Sequence, residues 1–291
     1  MYSVKILADS IAPNGQRLTT WELTYPRFVH SELMTHRLFS RNSASSRAIP
    51  TAKLINRVMT DPALPVWWGK NQTGMQALEE LDPDAKEKAI EVWLKARDTM
   101  VGVAEELNKI GLHKQIANRV IEPWMFITVI VSATCYENFF HLRCHPDAQP
   151  EIGKIAKMMF ETYISHVPTP LASGEWHVPL IDNEDIVRCF VKANGISPDG
   201  MSTKEEWANA TYLIRKVSVG RCARVSYLTH DGIRDINQDI ELHDKLKNSG
   251  HWSPFEHVAM ALDQPDRIGN FIGWLQYRKC FENEHYGGLM P

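Results

Sequence analysis

Residues 36–47 alternate arginines with small hydroxyl side chains, directly after a stretch that predicts a helix. An arginine fork binds a phosphate through two parallel hydrogen bonds, and small side chains let a ligand approach the backbone closely. The stretch therefore predicts a site for a phosphorylated heteroaromatic ligand, although a Ser/Arg-rich loop is also typical of a solvated linker. The residues with this chemistry are His36, Arg37, Ser40, Arg41, Asn42, Ser45, Ser46 and Arg47.

The spacing of these residues resembles a motif of the flavin-dependent thymidylate synthases, RHRxxSxNExSxR. The chain reads THRLFSRNSASSR from Thr35 to Arg47. It departs from the motif at Thr35, where the family has arginine, and at Ser43, where the family has glutamate. The positions that agree, without a gap, are His36, Arg37, Ser40, Asn42, Ser45 and Arg47.

Two further segments resemble the same family. The first follows the family pattern ARxxxP, NFxxLR and AQxEI, and here it comprises Asn118-Arg119, Pro123, Asn138-Phe139, Leu142-Arg143 and Ala148-Gln149-Pro150-Glu151-Ile152. The second carries the family elements ARVS(Y/F) and HGHxTPFEH, as Ala223–Tyr227 and Ser249–His257. In the family the second segment precedes the RHR motif, whereas here it follows. The resemblance therefore implies a circular permutation, which a fold tolerates where its original termini are close together at the surface.

Residues 271–284, FIGWLQYRKCFENE, resemble the passage into the RHR motif a second time. Arg278, Asn283 and Glu284 repeat the family's arginine and Asn-Glu pair. A partial duplication would explain this, with Glu284 replacing the glutamate that is missing at Ser43. The sequence leaves open which of the two copies builds the site.

The resemblance implies a reaction and a set of site residues. FAD, reduced by NADPH, would carry a methylene group from methylenetetrahydrofolate to C5 of dUMP, in a homotetramer whose sites combine residues of several subunits. The implied catalytic residues are Arg143, Ser45 and Glu32. The implied FAD-binding residues are His36, Arg37, Asn42, Asn138, Asp147, His251 and Ser253, with Ser226 a weaker candidate. The implied substrate-binding residues are Ser45, Ser46, Arg47, Arg119, Arg143 and Glu256.

Simpler roles remain open for several of these residues. Arg119 and Arg143 are expected to be buried in apolar helices, where each needs an anionic partner. Glu122 or Glu151 would supply one in a purely structural ion pair. A surface position would equally explain Arg47, and helix or turn capping would explain Ser253 and Glu256.

Glu32 stands where the family commonly has a glutamine near the base. An ionised carboxylate only accepts hydrogen bonds, so the base must offer a donor. Both uracil N3–H and the amino group of cytosine would serve. Three functions therefore remain open: methylation of dUMP, methylation or hydroxymethylation of another pyrimidine nucleotide such as dCMP, and nucleotide binding without turnover.

Cys144 beside His145 is the one cysteine with a neighbour that could make it a nucleophile. A small buried thiol is the favoured interpretation. His141 lies close in sequence to the same pair, but no fourth ligand follows, so no metal site is expected.

The predicted elements form an α+β fold with a mixed sheet, long helices and permuted segment order. Residues 58–75 predict a loop that holds the exposed-looking pair Trp67 and Trp68, for which capping of the core is the favoured interpretation. The predicted strands are Val4–Ala8, Leu18–Tyr25 and Val258–Leu262. The predicted helices are Phe28–Arg37 after Pro26, Asp84–Ile110, Pro123–Leu142, one from Pro150, Asn209–Tyr227 and Ile236–Asn248. The expected organisation is a motif-bearing part (1–167), a loop-rich connection (168–205) and a permuted segment that completes the same domain (206–291).

Composition limits the function classes. The 291 residues are 44% hydrophobic and 23% charged, with a net charge of −3, as in an ordinary globular protein. A negative net charge argues against a long nucleic acid as partner. No apolar run predicts a signal peptide or a membrane span, and the five cysteines form no CxxC pair. We therefore expect a soluble cytoplasmic protein without disulfides that does not bind a membrane.

Overall fold

The computed structural model describes residues 1–225, 234–282 and 284–285. The strands β1 to β10 are Ser3–Ile11, Arg17–Pro26, Ser40–Ser43, Phe126–Ala133, Thr169–Pro170, Trp176–His177, Ala259–Ala261, Arg267–Ile268, Phe271–Ile272 and Trp274–Gln276. The helices α1 to α9 are His30–Met34, Thr51–Thr60, Pro83–Lys109, Lys114–Ala117, Glu137–Arg143, Pro150–Ser165, Asn183–Asn194, Lys204–Ala223 and Ile236–Asn248. Short 3-10 helices cover Arg27–Val29, Asn118–Trp124, Ser253–His257 and Tyr277–Cys280.

A five-stranded sheet in the order β3-β4-β2-β1-β5 forms the centre of the molecule. Its neighbouring strands run antiparallel, except that β1 and β5 are parallel. Trp21 of β2 lies opposite Ile6 of β1 and Val131 of β4, which fixes the register of the three longest strands. The sheet is mixed and is combined with long helices, which confirms the α+β prediction.

The two faces of this sheet are covered by different parts of the chain. On one face, Trp21 and Leu23 pack with Phe139 of α5 and Met159 of α6. On the other face, Ile130 of β4 packs with Cys222 at the end of α8. Leu18 of β2 lies in a further cluster with Ala259 and Trp274, from the three-stranded sheet β10-β7-β6. The C-terminal region thus supplies the second layer of the core.

A buried ion-pair cluster joins α7, α8 and α9. The Arg221 side chain is fully buried, pairs with both carboxylate oxygens of Asp185, and donates through Nε to Asp239 at 3.1 Å. A buried guanidinium is tolerated only when its charge and donors are met in this way. The cluster therefore fixes the three helices relative to one another.

A chain of buried hydrogen bonds ties the central sheet to the C-terminal region. Ser10 Oγ lies 2.9 Å from His177 Nδ1, and His177 Nε2 lies 2.8 Å from Thr20 Oγ1. Thr20 contacts Ser132 at 2.6 Å, and Ser132 Oγ lies 2.8 Å from His257 Nδ1. Within the described residues His257 Nε2 has no partner. A buried N–H without a partner costs more free energy than a buried lone pair without one, so we assign the ring protons of both histidines to Nδ1. His257 then donates to Ser132, Ser132 to Thr20, Thr20 to Nε2 of His177, and Nδ1 of His177 to Ser10.

The predicted helix over residues 123–142 is wrong in its first two thirds. Phe126–Ala133 forms β4, and the helix α5 begins only at Glu137. The strand is covered on both faces, so its apolar run shows no alternation and resembles a buried helix. Its β-branched residues, which favour strands, are the signal that distinguishes the two.

The predicted helix over residues 28–37 is shorter than expected. α1 ends at Met34, whose carbonyl accepts from Arg41 at 2.9 Å, and residues 40–43 are already paired with β4. The loop prediction for residues 168–205 is wrong for Asn183–Asn194, which forms α7. A capping box between Asp182 and Asp185 begins this helix, and Gly195, with φ of +74°, ends it.

The remaining predicted elements are confirmed, with small differences at their ends. They correspond to β1, β2, α3, α6, α8, α9 and β7, although residues 226–227 at the predicted end of α8 lie outside the described residues. No helix in the described part of the chain has the length and apolarity to cross a membrane.

Candidate functional site

The strand β3 of the first motif lies directly against the C-terminal part of the chain. Asn42 Nδ2 donates to the carbonyl of Cys222 at 2.7 Å, and its Oδ1 accepts from Ser253 Oγ at 3.3 Å. Ser40 Oγ accepts from Gln276 Nε2 at 3.0 Å and from Asn270 Nδ2 at 3.2 Å. Elements that are more than 170 residues apart in the sequence therefore meet at one short strand. Gln276 and Asn270 were not predicted as site residues, although Gln276 lies in the segment that resembles a second copy of the motif and Asn270 directly precedes it.

An ion-pair network extends this region toward the C-terminus. Arg278 pairs with Glu256 at 2.6 Å and with Glu284 at 2.7 Å, and Lys279 also pairs with Glu284. Arg278, in the segment that resembles the motif a second time, thus lies beside the Ser253–His257 helix. Glu284 is engaged by these two cations. Asn283 and Ser226 lie outside the described residues.

A second polar cluster surrounds Arg143 at the end of α5. Its Nε donates to His36 Nε2 at 3.0 Å, while its terminal nitrogens lie 3.4 Å from Glu32 Oε2 and 3.3 Å from Thr35 Oγ1. Burial, followed by the charges of Arg143 and Arg41, lowers the pKa of His36 to about 4. His36 is therefore neutral and accepts the Arg143 hydrogen bond. The predicted residues Glu32, His36 and Arg143 form one unit.

Burial also affects the other titratable groups of this cluster. It raises the pKa of Glu32, and the charge of Arg143 offsets this only in part. The Arg41 guanidinium is bound to the carbonyls at the end of α1 and is not directed away from the protein. Arg41 therefore positions the turn that carries His36.

Two arginines of the motif segment are left with their charge unmatched. Arg37 and Arg47 are exposed, and neither pairs with an acidic side chain anywhere in the described ranges. They flank β3 on both sides in the sequence. Such cations are available to an anionic ligand or to an acidic group of another subunit.

Ser46, Arg119 and Arg27 converge on Glu122. Its Oε1 accepts from Arg119 at 2.8 Å and from Ser46 at 3.3 Å, and it pairs with Arg27 at 3.0 Å. Arg119 is half-exposed, contrary to the expected burial, because it lies on the 3-10 helix Asn118–Trp124 at the surface. Its contact is the ion pair with Glu122 that the sequence left open as a purely structural role. Arg27 was not predicted.

Three predicted flavin ligands lie at the surface, apart from the contacts above. Asn138 is exposed in the first turn of α5. His251 is exposed and bonded to Ser249 at 2.9 Å. Asp147 is exposed beside His145, at 3.5 Å, and lines a cavity of about 820 Å³ between residues 66–78 and α6. Ser45 lies between β3 and α2, half-buried.

The cysteine candidate gains no support as a nucleophile. Burial raises the pKa of the Cys144 thiol, which disfavours the reactive thiolate. No group of three or more potential ligands suited to a metal ion is present in the described ranges.

A family model described as Thymidylate synthase complementing protein matches residues 16–169, more than half of the 291-residue chain. The chain belongs to this family. The membership confirms the resemblance to the flavin-dependent thymidylate synthases that the motif spacing indicated. The match to the family model includes Glu32 to Arg47 and Arg119 to Asp147, whereas the segment with Ser253 and Glu256 lies beyond it.

Comparison with proteins of known structure adds two similar chains. Both are crystal structures of the UMP/dUMP methylase PolB from Streptomyces cacaoi, one bound with 5-Br UMP and one with 5-Br dUMP. Each has a TM-score of 0.45 and 15% identity, and covers 57% of this chain and 89% or 91% of the other. None of the curated proteins compared with the chain matches it.

Proposed function

We propose that this member of the Thymidylate synthase complementing protein family is a flavin-dependent methyltransferase that converts dUMP to dTMP. FAD would be its cofactor, and NADPH and methylenetetrahydrofolate its co-substrates. The proposal rests on two hydrogen bonds, from Ser253 to Asn42 and from Gln276 to Ser40. Through these contacts the motif strand is joined to the C-terminal part of the chain, with the Ser40–Gln276 bond buried and the Asn42–Ser253 bond at the surface. The exposed Arg37 and Arg47 flank the strand in the sequence, and neither has an acidic partner in the described ranges.

The donor set of this surface fits a phosphorylated cofactor. The exposed Arg37 and Arg47 flank Ser45 in the sequence, whereas the hydroxyls of Ser40 and Ser46 are buried and bonded within the protein. Phosphate is the ligand that arginine beside a hydroxyl donor binds best. In the proposal Arg37, Asn42 and Ser253 hold the flavin nucleotide, while Ser45 and Arg47 hold the substrate phosphate. Ser46 was also predicted to bind the substrate, but it is buried and donates to Glu122 instead. FAD, when bound, would supply the redox chemistry that no side chain offers.

The Arg143 cluster would act on the substrate through charge and position. Arg143 is already oriented by three contacts, to His36, Glu32 and Thr35, so little side-chain entropy is lost when a ligand binds. Its guanidinium favours negative charge on the pyrimidine whose C5 is modified. Much of the rate enhancement in such a site comes from holding the flavin ring and the pyrimidine ring in the correct relative position, and from fixed charges.

Glu32 leaves the identity of the base open between two pyrimidines. Its carboxylate is paired with Arg143 at 3.4 Å and, when ionised, accepts but does not donate. The exocyclic amino group of cytosine would satisfy it as well as uracil N3–H. A dCMP methylase or hydroxymethylase is therefore the second candidate.

A homotetramer with shared sites accounts for the predicted ligands that lie apart from the motif surface in one chain. Asn138 and His251 are both exposed. Arg119 and Asp147 are also accessible. In the proposal these residues complete a site that is formed with another subunit, as in the family.

The test is an absorbance spectrum of the purified protein, followed by parallel assays. Flavin bands that bleach with NADPH, together with a mass shift of dUMP that depends on methylenetetrahydrofolate, would support the first candidate. A product from dCMP alone would favour the second. A colourless monomer that takes up no FAD would overturn both, and thermal stabilisation by nucleotide without NADPH oxidation would indicate binding without turnover.

A further inference from the structure

The long helix α3 has two apolar faces on opposite sides. On the first face, Val101 and Ala104 are buried against α2 and the 3-10 helix Asn118–Trp124. The second face lies half a turn away, where a helix at the surface ordinarily carries charged side chains. We call the residues of this second face the α3 seam, and they are Ala85, Ala89, Val92, Ala96, Thr99 and Val103.

The α3 seam follows the heptad spacing of a coiled coil. Its positions alternate by four and three residues, and the same alternation continues through Glu106 to Ile110. Eleven of the 27 residues of α3 are charged, yet none of the eleven lies in the seam. A face that only met water would carry part of this charge, so the pattern indicates a second helix as its partner.

The middle of the α3 seam is uncovered within one chain. Val92 is 67% exposed, and Ala96 and Thr99 are also exposed. A Cβ atom added at Gly102, beside the seam, would meet nothing within 4 Å. Because alanine and threonine are short, another helix can approach closely along this face.

The charges beside the seam are complementary to an antiparallel copy of the same helix. Lys88 and Glu106 are separated by about five helical turns and therefore lie on the same side of α3. The ion pairs that α3 forms with described residues involve Lys86, Arg97 and Asp98, but neither Lys88 nor Glu106. Both charges are therefore available at the edge of the seam.

Antiparallel packing matches every position of the seam with one of similar size. When Ala96 lies opposite Thr99 of a second copy, Val92 lies opposite Val103, and Lys88 comes beside Glu106. Because a two-fold contact repeats each pair, this arrangement gives two Lys88–Glu106 pairs. A parallel pair would instead place each residue beside its own copy, with Lys88 against Lys88.

We propose that the α3 seam is an interface with a second copy of this chain, in which the two α3 helices pack antiparallel about a two-fold axis. From Ala85 to Ile110 the contact would be about 37 Å long, at 1.5 Å per residue. The interface goes beyond the proposed function, which requires several subunits but identifies no surface that holds them together. No residue of the seam is assigned to flavin, substrate or catalysis.

Sedimentation equilibrium of the purified protein tests the interface. Ala96→Arg places two cations near the two-fold axis, so the assembly should dissociate to half its mass. Circular dichroism should show unchanged helical content, because arginine is a good helix former. Ala208→Arg, at an exposed position of α8, should leave the assembly intact. A monomeric wild type, or an Ala96→Arg variant that assembles as the wild type does, would overturn the proposal.

An exchange of charges tests the antiparallel direction with variants that leave the seam itself unchanged. Lys88→Glu and Glu106→Lys should each raise the dissociation constant roughly tenfold, because two attractive pairs become two repulsive ones. The two substitutions combined should restore the wild-type value. A parallel pair predicts no such restoration, so additive losses, or no loss in either single variant, would reject the antiparallel contact.

Disulfide formation tests the register of the two helices. In a Cys280→Ser background, which removes an exposed thiol, Val92→Cys combined with Val103→Cys should form a disulfide between subunits. Val92→Cys alone should not, since its two copies would lie about 16 Å apart. A disulfide in Val92→Cys alone would contradict the antiparallel register.

The outcomes for the interface and for the proposed function are distinguishable. A protein that takes up no FAD and converts no nucleotide, but assembles in this pattern, would reject only the proposed function. An active flavoprotein whose assembly is the same in every seam variant would reject only the interface.

Discussion

Arg143 donates a hydrogen bond from Nε to His36 Nε2 across 3.0 Å, which joins the end of α5 to the turn after α1. The imidazole accepts this bond only when it is neutral, and the low pKa of His36, about 4, ensures that it is. The two residues belong to different segments of the family resemblance. Their contact places both segments in one cluster.

Removal of Arg143 is expected to change both the titration of His36 and the binding of nucleotide. In Arg143→Ala the loss of a nearby positive charge favours the imidazolium, so the pKa of His36 should rise, but it should stay below its usual value because burial is the larger cause. An NMR titration of the ring measures this. Nucleotide affinity should fall roughly tenfold or more, since a charged hydrogen-bond donor is lost.

Two variants control this experiment. Arg143→Lys keeps the charge but not the fork, so the pKa of His36 should stay low while nucleotide affinity still falls. Arg188→Ala, at an exposed arginine of α7 that pairs with Glu184, should alter neither quantity. An unchanged nucleotide affinity in Arg143→Ala would remove Arg143 from the proposed site.

Asn42 is expected to matter more to folding than Ser253, although the two are bonded. Asn42 Nδ2 satisfies the carbonyl of Cys222, and Asn42→Asp would oppose that carbonyl with an acceptor. The expected loss is about 1–3 kcal/mol of the free energy of unfolding. Ser253→Ala removes one exposed hydroxyl and should cost less than about 1 kcal/mol. Urea unfolding of both variants measures the difference, and equal losses would contradict it.

The contact between the segments of Asn42 and Ser253 could be predicted from the sequence, because both segments match motifs of one family site. Ser253 and Asn42 are 211 residues apart, yet their positions in the family pattern predict one surface. The repeated motif includes Arg278, whereas Gln276, in the same segment, was not predicted as a site residue. The helix predicted over Phe126–Ala133 failed for the opposite reason: no local pattern distinguishes a strand covered on both faces from a buried helix, except β-branching.

Other parts of the site depend on contacts between residues whose spacing in the sequence matches no motif. The convergence of Arg27, Ser46 and Arg119 on Glu122 requires the 3-10 helix Asn118–Trp124 to lie beside the loop after β3. The cavity under Trp67 depends on how an irregular arch closes over α6. Contacts of this kind arise from tertiary packing, and a single sequence gives no pattern for them.

Gly220 provides a direct check of the packing of α8 against α9. A Cβ atom at this position would lie 2.4 Å from the backbone oxygen of Asp239. The backbone of Asp239 cannot move aside as a flexible side chain would. Gly220→Ala should therefore lower the free energy of unfolding by roughly 2–4 kcal/mol and disturb the Arg221–Asp239 pair. Gly102→Ala in α3, where nothing lies within 4 Å, should instead be neutral or stabilise by up to about 1 kcal/mol. Thermal unfolding of the two variants tests this, and a stable Gly220→Ala would refute the close approach.

The stability of the protein is expected to fall as the pH falls below about 6.5. Burial lowers the pKa of both His177 and His257 to about 3, whereas each has a pKa near 6.5 when unfolded. Between these values the unfolded chain takes up protons that the folded protein does not, so acid favours unfolding. At pH 5 each histidine should cost about 2 kcal/mol relative to pH 7.5, measured by urea unfolding at the two pH values.

A substitution at His257 separates this effect from the titration of other groups. His257→Asn retains a side-chain nitrogen or oxygen near Ser132 but cannot titrate. The variant should be less stable than the wild type at pH 7.5, but its free energy of unfolding should fall less between pH 7.5 and pH 5. His113→Asn, at an exposed position that caps α4, should keep the wild-type dependence. The hydrogen-bond chain also predicts protons on Nδ1 of His177 and His257, which ¹⁵N chemical shifts report. A proton on Nε2 of His257 would place an unpaired donor in the core and contradict the assigned direction of the chain.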